Sequence, residues 1–79
     1  MHYVYILESK KDNSRYVGLT DDLKSRYTQH NQRSSRYTST KVPYRLIWYC
    51  AFLDKKKALA FEKYLKSSSG FAFRNKHLI

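Results

Sequence analysis

Apolar and polar positions alternate along YVYILE, Tyr3 to Glu8, and again along RYVGLT, Arg15 to Thr20, and the SKKDNS between them is turn material. Period-two alternation sends successive side chains to opposite faces of a strand, so the pattern predicts a β-hairpin. With the reversal near Lys10 and Lys11, Tyr5 falls opposite Tyr16 and Tyr3 opposite Gly18. One face then carries Tyr3, Tyr5, Tyr16 and Gly18, and the other carries Val4, Ile6, Val17 and Leu19. The aliphatic face is ordinary core. The tyrosine face reads as a site wall, because phenol hydroxyls need partners or water and a glycine admits close approach.

After the hairpin, TDDLKSRYTQHNQ predicts a helix with Thr20 or Asp21 as N-cap and acids in its first turn, where they suit the helix dipole. The polar, basic stretch Arg33 to Lys41 reads as a loop closed by Pro43. The β-branched and aromatic run Tyr44 to Phe52 predicts a third strand. Asp54 caps a second helix, KKKALAFEKYLK, which SSSG ends, and FAFRNKHLI predicts a short last helix docking Phe71, Phe73 and Leu78. The expected fold is α/β of the α+β kind, one domain over residues 1–79, with a three-stranded antiparallel sheet flanked by helices.

The helical period of about 100° per residue sorts the polar groups. Leu23, Tyr27 and His30 form the inward stripe of the first helix, with Arg26 on its border. In the second helix Ala58, Phe61 and Leu65 point inward, and Glu62 falls within that apolar sector. Two readings of Glu62 stay open: a carboxylate aimed at a site, or a solvated one paired with Lys63 or Lys66. His30 is open in the same way, as a ligand or as a hydrogen-bonded core residue. Asp21 and Asp22 are explained by capping, and Tyr44, Trp48 and Tyr49 by packing.

Charge then changes the picture. Sixteen Lys and Arg against six Asp and Glu leave a net charge of +10, spread along all 79 residues, and eight tyrosines lie among the cations. A basic, aromatic-rich surface suits a nucleic acid. The single Cys50 excludes an intrachain disulfide and a zinc site of several cysteines. With no apolar run of about 18 residues for a membrane span, the expected setting is cytoplasmic.

These residues match an ordered pattern: YVY at Tyr3 to Tyr5, YVG at Tyr16 to Gly18, Arg26 and His30 in DDLKSRYTQHN, and Glu62 in FEKYLK. The chain thereby resembles the GIY-YIG endonuclease family over nearly its whole length, most closely the short stand-alone bacterial members. Three positions depart from the pattern, one of them Phe71 in SSSGFAF, which stands where similar short proteins have an Arg that would contact phosphate. Tyr3 stands in place of the first motif's Gly, and Leu19 stands where the related repair incision subunit has a Lys that would help a tyrosine ionise.

The resemblance implies phosphodiester hydrolysis in DNA, as in repair or processing, with one Mg²⁺ or Mn²⁺ held by Glu62. It implies Arg26 on the scissile phosphate, Tyr16 as general base, Tyr5 on a phosphate oxygen or the attacking water, and His30 orienting phosphate or sharing proton transfer. Gly18, Lys24, Arg33 and Arg36 are expected to face the nucleic acid. Family members take targeting from appended domains, which this chain is expected to lack, so a protein partner would supply it. The rival expectations are a catalytically weak or inactive nucleic-acid-binding module of the same fold, and a small RNA-binding accessory protein.

Overall fold

The computed structural model describes residues 1–31 and 42–78. In chain order the elements are β1 (His2–Ser9), β2 (Arg15–Thr20), α1 (Leu23–Asn31), β3 (Tyr44–Phe52), α2 (Lys55–Lys66) and α3 (Ser68–His77). The strands form one antiparallel sheet in the order β2-β1-β3, so the hairpin's first strand is central. The expected fold class and every expected element are present.

The hairpin register differs from expectation by two residues: Tyr5 pairs with Gly18, Tyr3 with Thr20, and Leu7 with Tyr16. The cause lies in the turn, which is longer than a reversal at Lys10 and Lys11 allows. Ser9 donates its amide to the Ser14 carbonyl at 2.8 Å, and Asn13 donates back to the Ser9 carbonyl at 2.9 Å. Asn13 takes a φ of 62°, which Asn tolerates better than most residues, and Asp12 Oδ1 accepts the Ser14 amide at 3.0 Å. A two-residue shift keeps side-chain parity, so both expected faces survive.

Each face has its own core. Val4, Ile6 and Val17 pack with Ala58 and Leu65 of α2, joined by Phe73 and Leu78, while Tyr5, Leu7 and Tyr44 pack with Tyr16, Leu23 and Tyr27. A bulge between Ile6 and Leu7 pairs them with Trp48 and Leu46 and passes over Ile47. That extra residue lets Ile47 and Trp48 both join the α2 side while Leu46 stays on the tyrosine side.

The helix ends correct three further expectations. The cap of α1 is Asp22, not Thr20 or Asp21: its Oδ1 accepts the Ser25 amide at 3.1 Å, and its own amide donates to Thr20 Oγ1 at 3.1 Å. Asp54 caps α2 as expected, accepting the Lys56 amide at 2.8 Å. Ser67 ends α2 and caps α3 through the Gly70 amide at 3.1 Å, so the last helix begins at Ser68 rather than Phe71. Gly70 is needed there, since a Cβ would collide with the Tyr64 carbonyl. Phe71 does not dock: it is 53% exposed, and the Arg74 guanidinium carbon lies 4.7 Å from its ring centre. No described helix is long and apolar enough to cross a membrane.

Candidate active site

Three rings from three elements meet over β2. Tyr5 Oη lies 2.9 Å from His30 Nε2, and the Tyr16 ring centre stands 5.0 Å from that of His30 and 6.3 Å from that of Tyr5. Tyr5 reaches this place by lying across the edge strand. A Cβ on its pair residue Gly18 would collide with the Tyr5 hydroxyl and ring, with Cε1 at 2.8 Å. Gly18 is buried, and the close approach it permits is made by Tyr5 of the same chain. Gly18 thus seats the Tyr5 ring.

Helix α1 brings His30 and Arg26 to the same place because it is pinned to β3. Tyr27 Oη donates to the Tyr44 carbonyl at 2.9 Å, and Asn31 receives the Tyr44 amide and donates to its carbonyl at 3.1 Å. Asn31 thus imitates a neighbouring strand at the end of β3. The sequence reading passed over it, although an Asn one residue past an inward His was the available signal.

Burial divides the titrating groups. His30 is fully buried, and desolvation, followed by the nearby Arg26 charge, pushes its pKa down to about 4. It is neutral at pH 7. Burial pushes the Tyr5 phenol up to about 12, against the opposing hydrogen-bonding influence of Arg26, so Tyr5 keeps its proton. Arg26 is half-buried and held above the usual arginine range, first by hydrogen bonding with Tyr5, and it feels Tyr16 as well. A permanent cation therefore stands beside two phenols. A phosphate oxygen could approach it, and its Nη1 also donates to Gln29 Oε1 at 3.1 Å.

Glu62 comes from α2, in the opposite layer, yet its charge registers at Tyr5. Its side chain is 17% exposed, and Lys66 Nζ donates to Oε2 at 3.1 Å. The pairing with Lys66 matches the second of the two readings, and the Glu62 charge is the smallest of the influences on Tyr5. Lys66 engages one of the two carboxylate oxygens. Among the described residues no three His, Cys, Asp or Glu gather as a metal cage. One carboxylate with waters is a donor set that suits Mg²⁺ or Mn²⁺ and does not suit zinc.

Lys24 is exposed on α1 and lines a hollow of about 500 Å³ with Tyr3, Tyr27 and Tyr49, a hollow that none of Tyr5, Tyr16, Arg26, His30 or Glu62 lines. Arg33 and Arg36 lie outside the described residues. Two charged residues escaped the sequence reading. Glu8, nearly buried, accepts from Arg45 Nη2 at 2.6 Å and from Arg15 at 3.3 Å, and Arg45 first among them holds it below the usual carboxylate range. The other is Arg74, nearly buried on α3.

A model of the GIY-YIG catalytic domain matches residues 1–76. The chain is 41% identical over 66 residues to a UPF0213 protein of Lacticaseibacillus paracasei, covering 82% of this chain and 73% of that protein. It is 38% identical over 66 residues to the UPF0213 protein YazA of Bacillus subtilis, covering 82% and 66%. A solution NMR structure of a UPF0213 protein from Bacillus halodurans is similar in fold, with a TM-score of 0.52 at 41% identity over 82% of this chain and 69% of that one.

Proposed function

We propose that this chain, which belongs to the GIY-YIG catalytic-domain family, is a DNA endonuclease that hydrolyses phosphodiester bonds with one divalent cation, Mg²⁺ or Mn²⁺. The domain is a nuclease domain. The observation that carries the finer reading is the convergence of two phenols and a guanidinium over β2, with the Glu62 charge felt at Tyr5.

Glu62 is the residue that would hold the cation, and the bound cation would supply positive charge at the leaving oxygen. Arg26 then clamps the non-bridging oxygens of the scissile phosphate, where a planar, permanently charged fork fits best. Tyr16 is the general base. It is half-buried with the Arg26 cation beside it, and it would take a proton from the attacking water. Tyr5 stays protonated and positions the reactants. Neutral His30 either accepts the Tyr5 proton at Nε2 or donates its own there, and the tautomer decides whether Tyr5 offers the site a lone pair or a proton. A buried, neutral His30 is thus a partner of Tyr5, and it orients phosphate only through that hydroxyl.

One observation favours a second reading. Lys66 sits on Glu62 Oε2 at 3.1 Å, and a lysine there also suits a binding module without chemistry. Incubating pure protein with supercoiled, branched and single-stranded DNA, and with RNA, separates the two. Cleavage of DNA with Mg²⁺ or Mn²⁺ and none in EDTA is expected. Binding without cleavage under any metal would favour the module, and attack on RNA alone would overturn the DNA assignment.

A further inference from the structure

A buried cation calls for a compensating partner, because desolvation of an unpaired charge is strongly unfavourable. Arg74 breaks that expectation. It is 8% exposed, and its Nε has no hydrogen-bond partner. Among the described residues no carboxylate pairs with its guanidinium. Its companion is the Phe71 ring, 4.7 Å from Cζ. Burial first, and then the nearby Arg15 charge, hold its pKa below the usual arginine range.

The neighbouring cations cannot serve it, and they differ from it in one respect. Arg15 is already spent on Glu8 and on Asn75 Oδ1 at 3.0 Å, and Lys66 on Glu62. Arg74 is therefore the unneutralised charge of the group. It lines a hollow of about 290 Å³ together with Arg15, Tyr16, Leu65, Lys66 and Phe71. That is roughly ten times the liquid share of one water, so a phosphodiester group has room. The same hollow is walled by Tyr16, which ties it to the tyrosine cluster.

We infer that Arg74, with Arg15 and Lys66 at the rim, forms a subsite for a second backbone phosphate of the DNA strand, beside the scissile phosphate that Arg26 clamps. The inference rests on the nuclease reading above. Arg74 supplies the unneutralised charge, Arg15 of β2 and Lys66 of α2 add N–H donors at the rim, and the guanidinium fork suits phosphate oxygens. Phe71, left exposed beside Arg74, gives the adjoining sugar an apolar surface. A free phosphate ion would satisfy Arg74 equally, but the wall shared with Tyr16 favours a strand that continues into the active site.

The test is binding of short labelled DNA by wild type and Arg74→Met, in EDTA over a salt series. The Met variant should bind about tenfold or more weakly, the scale of a charge-assisted hydrogen bond. Its salt dependence should be shallower by about one phosphate contact. Its melting temperature should be equal or higher, since an unpaired buried charge is gone. A neutral methylphosphonate linkage stepped along the strand should weaken wild type, but not the variant, at one position. Unchanged affinity and salt slope in Arg74→Met, with wild type still cleaving DNA, overturn the subsite and leave the nuclease standing. Wild type that neither binds nor cleaves DNA overturns both. If Arg74→Met does not fold, the wild-type Arg74 Nε–H resonance decides: a shift on adding DNA supports the subsite, while no shift, or a shift with inorganic phosphate alone, overturns it.

Discussion

The ring of Tyr5 lies across Gly18, in the space that any Cβ at position 18 would fill. This contact carries the Tyr5 hydroxyl to His30 and toward Arg26 and Tyr16, so a residue with no side chain determines where the site's buried phenol stands. Gly18→Ala should therefore act at a distance from the chemistry. The Tyr5 ring is buried and has little room to move, so overpacking should lower stability by about 1–3 kcal/mol. Cleavage should fall with it as the Tyr5–His30 hydrogen bond is pulled apart. Calorimetry and a nicking assay on the same sample check this, and an unchanged melting temperature would show that Tyr5 has another place to go.

Strand and helix positions were legible because alternation and helical spacing report burial directly. That is why His2–Ser9, Arg15–Thr20 and Tyr44–Phe52 stand close to where the pattern puts them. The hairpin register was not legible, since it depends on Asn13 turning left-handed and on Ser9, Asp12 and Ser14 closing a longer turn. Tyr5, Tyr16, Arg26 and His30 converge as their spacing suggests. What lies beneath Gly18 depends on a cross-strand contact that no local pattern reports. Arg74 was invisible for a related reason: a cation on a polar helix reads as solvated until the fold buries it.

Glu62→Gln should abolish metal-dependent cleavage and leave the fold nearly untouched. The carboxylate is paired with Lys66 at i+4, and such pairs are worth about 0.3–0.5 kcal/mol. The melting temperature should then move by only a few degrees. A variant that still nicks supercoiled DNA at the wild-type rate would remove Glu62 from the metal assignment.

His30 makes stability depend on pH, with a definite sign. The unfolded chain takes up its proton near pH 6.5, whereas the folded chain resists until about pH 4. Between those values the unfolded state holds more protons, so stability rises with pH across the window and is lost on acidification through it. Glu8, held low by Arg45, contributes stability that is lost only at lower pH, as its own folded pKa is crossed. The interval from pH 6.5 to 4.5 thus reports His30. Urea unfolding over that interval should show a clear slope in wild type and a flatter one in His30→Gln; equal slopes would mean that His30 is not held neutral.

The two tyrosines should separate when each loses only its hydroxyl. Tyr16→Phe keeps the ring against His30 and removes the proposed base, so cleavage should drop about 10²-fold or more while DNA affinity stays near wild type. Tyr5→Phe removes the partner of a fully buried His30 Nε2, and an unmet buried polar atom costs about 1–3 kcal/mol. Its main effect should appear in the melting temperature, with a smaller loss of rate. Tyr5 holds its proton up to about pH 12, so it cannot serve as the base near neutrality. If Tyr16→Phe cleaves normally and Tyr5→Phe loses most of the rate at unchanged stability, the assignment is reversed. The proton would then leave water through Tyr5 toward His30 Nε2, and the buried imidazole, not the half-buried phenol, would be the base.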